Sequence, residues 1–341
     1  MISVIHLVPN DGVGGVEVAA KSLGSWRDKN IDFKLQYVFP FFLKPKSIFL
    51  YNPLYSLLSA IHLIRARPDV LIVSLWKAYV VGVIVKVFKP RIRLVTFLHS
   101  AKDVHVVDRM ATVAAMRVSD EVWADSLQTL RQRLHGVRYE KSRVISFVTR
   151  RLTPLECKGV GDIFIYWGRI NEVKNLGRAL RLFKAIRSRR PAAKYIIIGP
   201  DGGALCDIQR LCASLGLEES VHFVGSCSFQ EIRNYANGAS FYLQTSLFEG
   251  MAMSVVEAMQ LGLVPIVTPV GEIESYARNK QNAVVVTDDD VAVADVIALL
   301  TDDYRYQGMR REAISTWKNQ PLYKDSVLDA CSDMFEMEDI S

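Results

Sequence analysis

Lys158-Gly159-Val160-Gly161-Asp162 leads into Ile163-Phe164-Ile165-Tyr166-Trp167, then Gly168-Arg169-Ile170-Asn171-Glu172-Val173-Lys174-Asn175, then the amphipathic run Leu176–Arg189. A glycine-spaced linker, an apolar run, a polar loop and a helix-period segment follow one another. An apolar run without polar alternation marks a parallel strand buried on both faces. The helix after it supplies the crossover that a parallel neighbour requires. The same unit recurs downstream. Lys194–Ile198, Val221–Val224, Phe241–Gln244, Pro265–Val267 and Ala283–Val286 read as strands, and Met253–Leu261 as a helix. It recurs upstream too: Ile2–Val8, Phe33–Val38, Val70–Ser74, Arg93–Leu98, Glu121–Ala124 and Val144–Phe147 are strand candidates, with Val16–Arg27 and Pro53–Ala66 helical. The pattern restarts after Thr153-Pro154. It predicts an α/β chain of two doubly wound parallel-sheet domains, residues 1–155 and 156–320, facing a central cleft. The last helix, near Lys324–Glu336 in the tail 321–341, has no strand after it and is expected to pack back on the first domain.

Composition fits this reading. The 341 residues are 50% hydrophobic and 23% charged, which excludes a disordered or collagen-like chain. No apolar run reaches the roughly 18–20 residues needed to cross a bilayer, and no signal peptide is read at the start. Five cysteines, Cys157, Cys206, Cys212, Cys227 and Cys331, lack C-x-x-C spacing and predict free thiols in a reducing cytoplasm, with no metal framework. Charge is uneven. Residues 1–155 carry 23 Lys+Arg against 11 Asp+Glu; the remainder carries 19 against 25. The densest basic stretch is Arg131, Arg133, Arg138, Lys141, Arg143, Arg150 and Arg151. A membrane surface, an anionic acceptor or a nucleic acid would each be drawn to it, and a merely solvated face is the plain alternative.

In open α/β sheets ligands sit beyond the carboxyl ends of the strands, so the strand-to-helix loops are where chemistry is sought. Asn10-Asp11-Gly12-Val13-Gly14-Gly15-Val16-Glu17 opens the first helix. Its glycines let a ligand approach the backbone, yet the dinucleotide fingerprint fails, because Glu17 stands where the third glycine belongs. Arg169 and Lys174 bracket the loop before Leu176. Two cations beside a helix start would clamp a diphosphate, or would simply be surface cations. Phe248-Glu249-Gly250-Met251-Ala252-Met253-Ser254 leads to Glu257, eight residues beyond Glu249. A carboxylate among Val255, Val256, Ala258 and Met259 is expensive unless it is paired or bonds hydroxyls, as a ribose or sugar would offer; otherwise Glu257 faces solvent.

Taken in order, Gly14-Gly15-Val16-Glu17, Gly168 to Lys174 and Glu249 to Glu257 resemble the family 4 retaining glycosyltransferases of bacterial cell-surface polysaccharide assembly. Phe223-Val224-Gly225, Gly262 to Val267, Gly271-Glu272 and Asn282-Ala283 look like further landmarks of that family, so the similarity spans nearly the whole chain. The resemblance implies the GT-B architecture, two Rossmann-like domains with a nucleotide-sugar donor held mainly by the second. By carry-over, Arg169 and Lys174 bind the donor diphosphate, and Glu257 binds the ribose. Glu249 lies near the sugar hydroxyls, and the amides of Gly250, Met251 and Ala252 face sugar and phosphates. Gly15 contacts a donor phosphate and His99 approaches the donor sugar. The backbone near Val224–Ser226 holds the base. The catalytic set is therefore Glu249, His99, Lys174 and Arg169. Three departures stand out. Ser146-Phe147-Val148-Thr149-Arg150-Arg151 replaces an asparagine-glycine loop, Glu272 replaces a glycine, and Ala283 replaces a glycine.

The implied activity is sugar transfer from a nucleotide-diphosphate sugar to a saccharide acceptor, lipid-linked, in lipopolysaccharide or related surface-glycan synthesis. Retention is expected, with the departing phosphate helping to deprotonate the acceptor; a double displacement through Glu249 is the alternative. No metal and no cofactor are expected, since protein cations form the clamp. Lys174→Ala is expected to cut turnover with little change in thermal stability. A sugar-nucleotide epimerase or phosphorylase on the same fold, or a non-catalytic nucleotide-sugar binder, remain alternatives. The segment Phe39 to Tyr51, aromatic with Lys44 and Lys46, suits a membrane interface. The chain is expected in the cytoplasm, peripheral on the inner membrane's cytoplasmic face, with no nucleic-acid partner.

Overall fold

Branched and aromatic runs form strands because their side chains fill both faces of a sheet covered by helices. A computed structural model describes residues 1–11, 15–24, 30–39, 53–99, 103, 105–134, 141–156 and 159–336. Two compact units result: residues 1–150 together with 321–341, and residues 151–320.

The first unit runs β1 (Ile2–Val8), α1 (Gly15–Leu23), β2 (Ile31–Tyr37), α2 (Pro53–Ala66), β3 (Val70–Ser74), α3 (Trp76–Phe88), β4 (Arg93–Leu98), α4 (Val106–Val118), β5 (Glu121–Ala124), α5 (Leu127–Arg133) and β6 (Ser142–Val144). Its sheet order is β2-β1-β3-β4-β5-β6, all pairs parallel. The second unit runs β7 (Ile163–Trp167), α6 (Leu176–Arg189), β8 (Lys194–Ile198), α7 (Leu205–Ser214), β9 (Val221–Gly225), α8 (Phe229–Ala236), β10 (Phe241–Gln244), α9 (Met253–Leu261), β11 (Val264–Val267), α10 (Ile273–Tyr276), β12 (Val284–Val285), α11 (Asp289–Thr301) and α12 (Asp303–Lys318). Its order, β12-β11-β10-β7-β8-β9, is also wholly parallel. In each sheet the order reverses beside the first strand, which places that strand's carboxyl end at a topological switch point.

The final helix, α13 (Tyr323–Glu336), returns to the first unit. Tyr323, Val327, Ala330, Cys331 and Met334 are buried at helical spacing. The Tyr323 ring stacks on Phe97 at 6.2 Å and meets Phe147 edge-on at 5.4 Å. Arg143 bridges Glu121 at 3.1 Å and Asp333 at 2.8 Å, tying α13 to β5 and β6.

Boundaries in the first unit depart from the sequence reading. The units divide at residues 150 and 151, five residues earlier than expected. The last strand of the first unit is Ser142–Val144, not Val144–Phe147. Phe147 is buried because it packs on His99 and Tyr323, not because it joins the ladder. The described part of α1 ends at Leu23; residues 25–29 lie outside the described residues, as do Gly12 to Gly14, Phe41 to Tyr51, Arg138, Cys157 and Lys158. Of the aromatic segment only Phe39 is described. It is a core residue, set edge-on to Tyr55 at 5.8 Å, with Lys77 Nζ 5.0 Å from its ring centre.

Candidate active site

The second unit gathers its candidate residues where β7, β8 and β10 end. β7 and β8 approach so closely there that only glycine fits: a Cβ on Gly199, whose φ is +148°, would stand 1.8 Å from the Gly168 carbonyl oxygen. After Gly168 the chain turns through Arg169, whose carbonyl accepts the Tyr166 hydroxyl at 3.1 Å. Asn171 then caps a short 3-10 turn, Glu172–Lys174, by accepting the Lys174 amide. Asn175 adopts a left-handed conformation and opens α6. The turn is tied to the loop after β10, since Leu247 N donates to the Val173 carbonyl at 2.8 Å and Thr245 Oγ1 to the Asn175 carbonyl at 2.9 Å.

These ties bring Lys174 and Glu249 together. Lys174 Nζ lies 2.6 Å from Glu249 Oε1, with both side chains largely buried. Gln244 Nε2, at the end of β10, donates to the same oxygen at 2.9 Å. Gln244 Oε1 accepts from Tyr242 OH at 2.7 Å and from Ser254 Oγ at 3.1 Å, which fixes its amide orientation. Glu257 is buried on α9 and does not face solvent. Its Oε2 accepts the Trp167 indole N–H at 3.0 Å. The Trp167 ring stands edge-on to Tyr242 at 4.6 Å. The two glutamates thus sit at the ends of one run of contacts, Glu249–Gln244–Tyr242–Trp167–Glu257. Burial, with Glu249's negative charge adding to it, raises the Tyr166, Tyr242 and Tyr276 hydroxyls well above an ordinary phenol, so all three stay protonated donors.

The loop Glu249 to Ala252 is held from behind. A Cβ on Gly271, at φ +58°, would lie 2.0 Å from the Glu249 carbonyl oxygen, so glycine is required there. Glu272 N donates to the Gly250 carbonyl, and Tyr276 OH to that of Met251. Ala252 is left-handed and gives α9 no side-chain cap. The N–H groups of Gly250, Met251 and Ala252 donate to no described protein group. An uncapped helix start with open amides is an anion-binding arrangement. Arg169 is exposed and has no carboxylate partner among the described residues. Gly202 leaves space for it, since a Cβ there would sit 2.7 Å from Arg169 Cγ.

Gly15 and His99 belong to the first unit. Gly15 is exposed at the start of α1. His99 is not an open side chain: it is only 3% exposed, its Nε2 is 2.9 Å from Ser74 Oγ and its Nδ1 is 3.7 Å from Asp125 Oδ2. Ser74 Oγ also lies 2.8 Å from His6 Nε2. Ser74 ends β3, and His99 and Asp125 follow β4 and β5, which gives triad-like connectivity. Ser74 is nonetheless wholly buried, so it can attack no substrate. Burial, then the neighbouring His99, push the His6 imidazole down to about 3, so it is neutral.

Sequence reasoning singled out Arg169, Lys174, Glu249 and Glu257 but missed Gln244, Tyr242 and Trp167 as their partners. A lone glutamine at a strand's carboxyl end was the available signal. Among the described residues no group of three or more His, Cys, Asp or Glu could hold a metal ion, and no helix is long and apolar enough to cross a membrane.

Residues 156–316 match the family model of "Glycosyl transferases group 1". A GDP-mannose:cellobiosyl-diphosphopolyprenol alpha-mannosyltransferase of Xanthomonas oryzae pv. oryzae is 30% identical over 142 residues, 41% of this chain and 37% of that relative. The chain thus aligns with about two fifths of the length of that curated relative. Among solved structures, Anabaena HepE in complex with UDP-glucose superposes with a TM-score of 0.80 at 14% identity, covering 98% of this chain and 99% of that one. Sucrose-phosphate synthase from Thermosynechococcus elongatus gives 0.78 at 14% identity, with full coverage of both. These likenesses establish the GT-B fold, and the match to the group 1 glycosyl transferase model falls on residues 156–316, within the second unit.

Proposed function

We propose that this chain is a retaining glycosyltransferase that moves a sugar from a nucleoside-diphosphate sugar to a saccharide acceptor. The observation that carries the reading is the convergence of Lys174, Glu249 and the open amides of Gly250 to Ala252 at the uncapped start of α9. Lys174, Arg169 and these amides would neutralise the diphosphate as it departs, the term that dominates such reactions. No metal is needed where protein cations and a helix start do this work. Glu257, buried on α9 and hydrogen-bonded to Trp167, is the carboxylate this reading assigns to the ribose. Glu249 is placed to orient sugar hydroxyls once a diphosphate competes for Lys174. Retention then follows from attack on the face the leaving phosphate occupies, with that phosphate taking the acceptor's proton.

The Xanthomonas relative acts on a lipid-linked saccharide, and HepE was solved with UDP-glucose. Both support a nucleotide-sugar donor here, and the Xanthomonas relative alone supports a lipid-linked acceptor; on this reading the reaction takes place at the cytoplasmic face of a membrane that the basic first unit would contact. A binder without catalysis is less well supported, because both cations and both carboxylates are present and Lys174 is paired with Glu249.

A thermal-shift panel of UDP, GDP, ADP and TDP and their sugars, with chelator present, tests this. A ligand that binds the native state raises its melting temperature by mass action, about 2.7 kcal/mol at a hundredfold excess over Kd. A selective, chelator-insensitive shift is expected. No shift from any nucleotide overturns the donor site; a shift abolished by chelator overturns metal independence.

A further inference from the structure

We propose that the outward faces of α2 and of the end of α3 form a docking surface for an anionic lipid bilayer. This rests on the membrane part of the function proposed above but not on its donor site. A surface helix normally turns polar residues to water. On α2, Leu54, Leu57, Leu58 and Ile61 recur at i, i+3, i+4 and i+7 and are 52%, 49%, 52% and 37% exposed. Ala60 and Leu63 on the opposite side fill the core. The apolar side facing out is therefore additional to the one facing in. It runs the length of a 14-residue helix, about 21 Å.

The stripe ends in cations. Arg65, one turn beyond Ile61, continues the same face, and Arg67 follows it; both are exposed. Helix α3 packs beside α2, and its end presents Val87 and Phe88, 67% and 69% exposed, before exposed Arg91. Acids are almost missing from this part of the chain. From Phe33 to Lys102 there are 11 Lys+Arg and one carboxylate, Asp69, whose Oδ2 accepts the Ser3 amide. A second copy of this chain would bring the same positive rim against this one, so self-association is electrostatically opposed. An apolar strip with cations at its margin matches the boundary between acyl chains and anionic headgroups, where leucine and phenylalanine enter and arginine snorkels.

The test is co-sedimentation of the full chain with vesicles of phosphatidylcholine alone and with about one third phosphatidylglycerol, at low and high salt. Binding to the anionic vesicles, weakened by salt, is expected. Leu57→Ser with Leu58→Ser should lower partitioning about tenfold or more. Arg65→Glu and Arg67→Glu should each lower it by at least about fivefold. Both sets of variants should keep the nucleotide-induced thermal shift, which shows that they fold. Wild-type chain that ignores anionic vesicles overturns the surface, as do leucine variants that bind them as well as wild type. A concentration-dependent dimer dissolved by the leucine pair also overturns it, in favour of a second copy. Vesicle binding that responds to these variants, in a chain that shifts with no nucleotide, upholds the surface and sinks the donor site.

Discussion

Lys174 is where two roles meet. Its ammonium sits 2.6 Å from Glu249, so without a donor each neutralises the other. A diphosphate reaching Lys174 would compete with Glu249 and free that carboxylate for sugar hydroxyls. Removing one member of a buried pair strands the other. Lys174→Ala should therefore weaken binding of the preferred nucleoside diphosphate by about tenfold to a hundredfold, the worth of a charged hydrogen bond. It should also cost about 1–3 kcal/mol of stability by leaving Glu249 with Gln244 alone. That stability loss revises what the sequence suggested, because spacing could not show that Lys174 already has a partner. Calorimetric titration and urea unfolding measure the two effects; unchanged affinity would sink the clamp. His6 supplies a pH effect. Its imidazole is pushed down to about 3 by burial and by His99, against an ordinary value near 6.5. The unfolded chain therefore binds the proton between these values and the folded chain does not. Stability from this site is complete above about pH 6.5 and falls below it, by up to about 1.4 kcal/mol per pH unit, until about pH 3. The acid slope of Tm should flatten in His6→Gln; an equally steep slope would show that His6 is not its source. Nothing in the sequence marked His6, because its burial comes from strands β2 and β3 pairing on either side of β1.

The strands and the loops after β7 and β10 were legible at the scale of elements, since buried parallel strands need unbroken branched and aromatic runs and glycine must follow where chains close up. Ile163–Trp167 and Phe241–Gln244 fall where the sequence put them. The miss at β6 has a physical cause. Ile145, Phe147 and Val148 are as buried as strand residues, but Phe147 and Val148 are covered by side chains and by α13, which arrives from far along the chain. Apolar pattern reports burial, not the partner that provides it. The Glu272 departure is explained at this scale too. The neighbouring Gly271 is the position that crowds the Glu249 carbonyl, while the Glu272 amide donates to the Gly250 carbonyl and its own carbonyl accepts from Ser275. A side chain at 272 is therefore tolerated where one at 271 is not.

At the scale of the molecule, the chain crosses from the first unit to the second and then comes back. The return depends on Tyr323. It is 1% exposed, its amide donates to the Val148 carbonyl at 2.8 Å, and its ring closes an aromatic group with Phe97 and Phe147. Phe97 also lies 4.2 Å from the His99 ring, centre to centre, so α13 supports the wall against which the Ser74–His99–Asp125 contacts are set. Truncating a buried aromatic costs about 3–5 kcal/mol. Tyr323→Ala should lower the unfolding temperature of the first unit accordingly. The second unit, which holds Lys174, Glu249 and Glu257, keeps its own core of Phe164, Phe241 and Tyr306. Its nucleotide-induced shift should therefore survive the substitution. Calorimetry with and without the selected nucleotide separates the two: an early transition that moves down while the nucleotide-dependent one holds is expected. Loss of the nucleotide response in Tyr323→Ala would mean that the donor site depends on the first unit's integrity and is not a property of residues 151–320 alone.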